Sequence, residues 1–142
     1  MDPTPKPPGS GIEQRERINL RILYAEDEEE IREVLGRLLQ ARYSRVEIVE
    51  NGQLLMDKLL APGAAYDCVL SDDGMKKKKG TQALQEIRAM ENLKTLPFIL
   101  LTALPDLLVK EEVERLGGVY LNKPISKDEL YAAIEGAVKS EK

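Results

Sequence analysis

Short apolar runs alternate with stretches in which apolar residues recur every three or four positions. Leu20-Arg21-Ile22-Leu23-Tyr24-Ala25 predicts a first strand. Ile31, Val34, Leu35, Leu38 and Leu39 then fall on one face of a predicted helix. Glu28, Glu29 and Glu30 stand in its first turn, where carboxylates suit the positive end of the helix dipole. Residues 46–49 predict strand two. Leu55, Met56, Leu59 and Leu60 mark helix two, closed by Pro62-Gly63. Cys68-Val69-Leu70-Ser71 predicts strand three, and Leu84, Ile87 and Met90 give helix three. Strand four, residues 98–101, is entered through Pro97. Val109, Val113 and Leu116 give helix four, ended by Gly117-Gly118. Val119-Tyr120-Leu121 is strand five. Helix five carries Leu130, Ala133, Ile134, Ala137 and Val138, and Ser126 with Glu129 forms its capping box.

Five strands alternating with five helices predict an α/β domain, a doubly wound three-layer (βα)5 sandwich with a parallel sheet. Strands three and four are apolar throughout, as strands covered on both faces should be. The pattern alone leaves the order of strands in the sheet open. Residues 1–17 hold four prolines within the first eight positions, then Gly-Ser-Gly, and are expected to be a disordered tail or linker ahead of a domain over residues 18–142.

Composition narrows the function. A net charge of −4 argues against general affinity for nucleic acid or anionic membranes. Cys68 is the single cysteine, so no internal disulfide exists, and a reduced cytoplasmic setting is expected. No apolar stretch reaches membrane-spanning length. There are no histidines, which removes the commonest general base and metal ligand. A metal here would be an oxygen-seeking one, Mg²⁺ or Mn²⁺.

Polar residues stand just after four of the strands: Glu26 and Asp27, Asp72, Thr102, and Lys123. In a parallel sheet these ends share one edge, where ligands bind. Two carboxylates about 4 Å apart repel by roughly 1 kcal/mol in water and about four times that at an effective dielectric near 20. A hard divalent cation reverses that cost. Lys123 cannot ligate a metal and suits an anion or one of the carboxylates, and the Thr102 hydroxyl can donate to the same anion. Metal, ammonium and hydroxyl together stabilise a phosphoryl group in transfer, and an aspartate can accept it.

Ala25-Glu26-Asp27-Glu28, the run from Tyr66 to Asp72, Leu101-Thr102-Ala103, and Tyr120-Leu121-Asn122-Lys123-Pro124 occur in order, each at a strand end. On these pieces the chain resembles the receiver domain of two-component response regulators, chemotaxis regulators among them. The resemblance covers about residues 20–139 and implies a flavodoxin-like strand order of 2-1-3-4-5. It further implies that Asp72 is the phosphoacceptor and that Glu26, Asp27, Asp72 and the backbone carbonyl of Gly74 bind Mg²⁺. Thr102 is then the switch hydroxyl, Tyr120 the switch aromatic and Lys123 the phosphate-pairing lysine, with Lys123-Pro124 a candidate cis bond. The implied partners are a histidine kinase or histidine phosphotransfer protein, and a downstream protein at the face of helix four, strand five and helix five. The implied assembly is a monomer or a phosphorylation-dependent dimer. No enzymatic turnover beyond slow autodephosphorylation is expected.

The chain departs from the family after Asp72. Asp73-Gly74-Met75-Lys76-Lys77-Lys78-Lys79-Gly80 keeps Met75 and Gly80 but has Lys76 where the family has proline. The lysines are either a solvated loop or a means of attracting an anionic donor or acidic partner. Asp73 is a second acid beside Asp72, which the register of strand three favours. Two alternatives stand beside the phosphoacceptor: a degenerate receiver that binds partners without phosphorylation, and a Mg²⁺-dependent phosphohydrolase. The chain reads as a stand-alone receiver or one excised from a larger protein such as a hybrid kinase.

Overall fold

The computed structural model describes residues 17–141. The Pro-rich tail expected over residues 1–17 lies, Arg17 apart, outside them. The elements run β1 (Ile18–Ala25), α1 (Glu29–Arg42), β2 (Tyr43–Val49), α2 (Gly52–Leu60), β3 (Cys68–Asp72), α3 (Gly80–Arg88), β4 (Phe98–Thr102), α4 (Leu107–Arg115), β5 (Val119–Asn122) and α5 (Lys127–Glu141). All four strand pairings are parallel, and the sheet order is β2-β1-β3-β4-β5. The chain thus reverses direction across the sheet between β1 and β3. The carboxyl ends of those two strands open a crevice there.

The two faces of the sheet are covered by different helices. Leu23, Val69 and Leu100 point toward α2, α3 and α4, meeting Leu55, Leu84, Ile87 and Val113. Ile22, Leu70, Ile99 and Leu101 point the other way, toward Leu35 and Leu39 of α1 and Leu130 and Ile134 of α5. The period-2 alternation of each strand therefore fills two cores. Truncating a residue such as Leu100, which is wholly buried, to alanine costs about 2–5 kcal/mol.

The structure corrects the sequence reading in three places. β2 begins at Tyr43 rather than residue 46, because Tyr43 is at once the C-cap of α1 and the first residue of the strand, with no intervening loop. Val34 and Leu60, expected on buried faces, are 61% and 55% exposed. Each helix rests on the sheet along a stripe narrower than its apolar face, and these two flank it. Met90 lies beyond the end of α3, where it still packs on the core from a turn.

Two caps hold the elements entering the site edge. Asn51 accepts from the Leu54 amide at 2.9 Å and caps α2. Ser126 and Glu129 exchange hydrogen bonds at 3.0 and 3.1 Å and cap α5, as the sequence predicts. The far end is fastened by Glu135 of α5, which accepts from Arg42 Nε at 2.6 Å, from Arg42 Nη2 at 3.0 Å and from the Tyr43 hydroxyl at 2.8 Å.

Candidate functional site

Glu26 and Asp27 follow β1, and Asp72 ends β3, so the parallel pairing of these strands lays the three acids side by side. Their carboxylate oxygens lie within 4.8 Å of one another. Glu26 is wholly buried, Asp72 nearly so, and Asp27 half-buried. Lys123 reaches in from the end of β5, its ammonium donating to Glu26 Oε1 at 2.8 Å and to Asp72 Oδ1 at 2.9 Å. Four sequence-predicted residues thus meet at one edge. The Lys123-Pro124 bond is cis.

The electrostatics follow from crowding. Burial pushes the Glu26 carboxyl above its ordinary range, the Lys123 hydrogen bond opposes this, and the charge of Asp72 adds to it. Burial also works against the Lys123 charge, but its bonds to Glu26 and Asp72 outweigh that and raise its pKa. Tyr24, two residues before Glu26, is wholly buried. Its hydroxyl keeps its proton well above the usual range, through burial first and then the charges of Glu26 and Asp72. Glu26 is close enough to influence that proton, yet no hydrogen bond of acceptable geometry forms there.

The three acids form an all-oxygen donor set, which suits Mg²⁺ or Mn²⁺. Lys123 takes one oxygen each from Glu26 and Asp72, leaving Asp72 Oδ2 free. Gly74 is exposed on that side, and a side chain added there would first meet Asp72 Oδ2 at 3.8 Å.

Asp73 points elsewhere. Its Oδ1 accepts from the Thr81 amide at 3.0 Å and the Thr81 hydroxyl at 2.9 Å, anchoring the first turn of α3. The backbone here is tightly held. A Cβ on Gly80 would come within 2.6 Å of the Asp72 carbonyl oxygen and of Leu100 Cδ1. The lysine loop folds back onto the start of α2, where a Cβ on Gly52 would meet the Lys78 carbonyl oxygen at 2.0 Å. Lys78 itself pairs with Glu86. Lys76, Lys77 and Lys79 are exposed.

Thr102 ends β4, but its hydroxyl is turned along its own loop, accepting from the Leu104 amide at 3.3 Å and donating to the Leu104 carbonyl at 3.2 Å. Tyr120 of β5 is half-buried against the core, and its hydroxyl accepts from the Asp106 amide at 2.9 Å. Asp106 in turn caps α4 through Leu108 and Val109. Sequence reasoning missed Tyr24 and this Tyr120–Asp106 link. Tyr24 had a signal, a phenol in an otherwise aliphatic strand, whereas the link depends on how a loop folds.

A model of the response regulator receiver domain matches residues 22–135. The chain belongs to that family. It is 30% identical to the transcriptional regulatory protein FixJ of Bradyrhizobium diazoefficiens over 83% of this chain and 56% of that protein. The receiver domain of a Francisella response regulator superposes with a TM-score of 0.75 at 26% identity, covering 87% of this chain and all of that one (100%). A receiver domain from a signal transduction histidine kinase of Syntrophus aciditrophicus gives 0.71 at 25% identity, covering 85% and 91%. This receiver therefore spans only about half the length of FixJ, 56%. Among its described residues, no helix is long and apolar enough to cross a membrane.

Proposed function

We propose that this receiver is a working phosphoacceptor: Asp72 takes a phosphoryl group from a phosphohistidine on a partner protein. The observation that carries this reading is the bridge from Lys123 to both Asp72 and Glu26, with Asp27 completing the cluster. One oxygen of Asp72 attacks phosphorus, the P–N bond to the donor imidazole breaks, and an acyl phosphate remains on Asp72. Glu26, Asp27, Asp72 and the Gly74 carbonyl would hold Mg²⁺ or Mn²⁺, which when bound neutralises charge on the phosphoryl oxygens. Lys123 exchanges its contacts with Asp72 and Glu26 for a phosphoryl oxygen. Thr102 rotates away from Leu104 to donate to another. The complete set of acids and lysine gives no support to a receiver that works without phosphorylation, and Asp73 is already committed to Thr81.

Two surface features support the donor and output faces of this reading. A groove of about 620 Å³ opens beside Lys123, lined by Ile31, Val34, Leu35, Ala103, Pro124 and Ile125. It suits the apolar side of a helix presenting the phosphohistidine of a kinase or phosphotransfer protein. Leu104, Leu107 and Leu108 stand 78%, 68% and 77% exposed at the head of α4. Release of Thr102 and Tyr120 would remodel that head, so the face of α4, β5 and α5 is where a downstream protein, or a second copy, reads the state. The buried, unpaired Cys68, whose thiol burial pushes up to about 12, fits a reducing cytoplasmic setting.

The test is intact mass after incubation with Mg²⁺ and acetyl phosphate. One hydroxylamine-labile phosphoryl adduct is expected, absent without metal and absent in Asp72→Asn. Labelling that persists in Asp72→Asn and vanishes in Asp73→Asn would overturn the assignment, and turnover far beyond one event per chain would point to a hydrolase.

A further inference from the structure

Tyr24 of β1 and Glu26, just past the end of that strand, lie two residues apart, and both are wholly buried. The Tyr24 hydroxyl makes no hydrogen bond, one of two such buried side-chain atoms among the described residues. A hydroxyl stripped of water and left unpaired is costly, and phenylalanine would fill the same space without that cost. Its surroundings are apolar, with Leu70 and Leu101 in the same cluster. The ionised groups whose charge reaches it are Glu26, Asp72 and Arg32. Arg32 is a donor and is already engaged with the Glu26 carbonyl at 2.9 Å, so of these three groups only the two carboxylates can accept.

Glu26 has a reason to need a second donor. Its Oε1 depends on Lys123 at 2.8 Å, and its Oε2 has only a long contact from the Glu28 amide at 3.3 Å. Lys123 is shared with Asp72. On the receiver reading, a phosphoryl group on Asp72 offers that ammonium a stronger anion. Glu26, beside any metal it holds, would then keep only the long bond from the Glu28 amide among its protein donors.

We propose that Tyr24 is a positioning residue of the site: its hydroxyl becomes the donor to the Glu26 carboxylate when Lys123 turns to the phosphoryl group on Asp72. The idle phenol of the resting state is a partner in waiting, and β1 supplies the donor that steadies the metal ligand just beyond its end. This inference rests on the receiver reading.

The experiment uses the whole chain with Mg²⁺ and beryllofluoride, a non-hydrolysing mimic of the acyl phosphate. Calorimetric titration compares the unsubstituted chain with Tyr24→Phe. In parallel, ζ-¹³C-tyrosine NMR follows the Tyr24 resonance of the unsubstituted chain, where folding of a variant is not in question. A hydrogen bond to a charged group sets the expected loss in Tyr24→Phe at about tenfold or more in beryllofluoride affinity. The Tyr24 resonance should shift when Mg²⁺ and beryllofluoride are both present. The unliganded variant should unfold at the same temperature or higher. Equal affinities, or an unmoved resonance, would overturn the proposal. So would a variant destabilised without ligand, because the hydroxyl would then serve the resting fold. If the unsubstituted chain bound no beryllofluoride, the receiver reading itself would fall, and this inference with it.

Discussion

Glu26 is held in an arrangement that favours ligand over stability. It is wholly buried beside Asp72, and Lys123 must satisfy both. Like charges this close cost more inside a protein than in water. Replacing Glu26 with glutamine keeps an acceptor for Lys123 and removes one charge. In chelator-treated protein at neutral pH, Glu26→Gln should therefore raise the unfolding temperature by a few degrees, roughly 1 kcal/mol for a domain of this size. The same change should weaken Mg²⁺ binding by about tenfold or more, read by titration. A variant less stable than the original would mean that the Lys123–Glu26 pair outweighs the repulsion.

The loop between β3 and α3 carries four consecutive lysines, Lys76 to Lys79. Lys77 adopts φ 68°, a left-handed conformation that costs a non-glycine residue about 1 kcal/mol. The loop is nonetheless fixed, by Gly52 beneath Lys78 and by Asp73 on Thr81. Lys76, Lys77 and Lys79 therefore present charge from a held backbone beside an acidic crevice. If they draw in anionic donors, phosphorylation by acetyl phosphate should slow as salt rises, and changing all three to glutamine should remove most of that dependence. An unchanged salt slope would leave them as a solvated surface. The sequence carries the charge of this loop but not its packing, because a glycine's close approach to a distant carbonyl has no periodic signature. The strands were legible through their apolar runs, and the site through which polar residue ends each run. Val34 was misread because periodicity gives the apolar face of a helix, not the width of what covers it. The Arg42–Tyr43–Glu135 clamp joins residues 92 and 93 positions apart, which no local pattern records.

At the scale of the whole molecule, a buried carboxylate at the site and a half-buried one at the far end pull the pH profile in opposite directions. Glu26 has a folded pKa above its unfolded value of about 4.3, so the native state gains a proton first and stability grows as pH falls toward that value. Glu135 is held below it by the Arg42 hydrogen bond and, after that, by Tyr43. Its contribution is present above about pH 4.3 and is lost as pH falls through its folded pKa. Metal-free protein should thus be most resistant to urea on the acid side of neutrality. Glu26→Gln should flatten the neutral limb, and Glu135→Gln the acid limb. A maximum unmoved by either change would count against both assignments. The Tyr120 hydroxyl, finally, occupies the Asp106 amide, and Asp106 caps α4. If Tyr120 swings when the receiver is phosphorylated, that amide loses its acceptor and its proton is exposed to solvent. Deuterium uptake at this one backbone position would then report the signalling state without any dye, tag or partner protein.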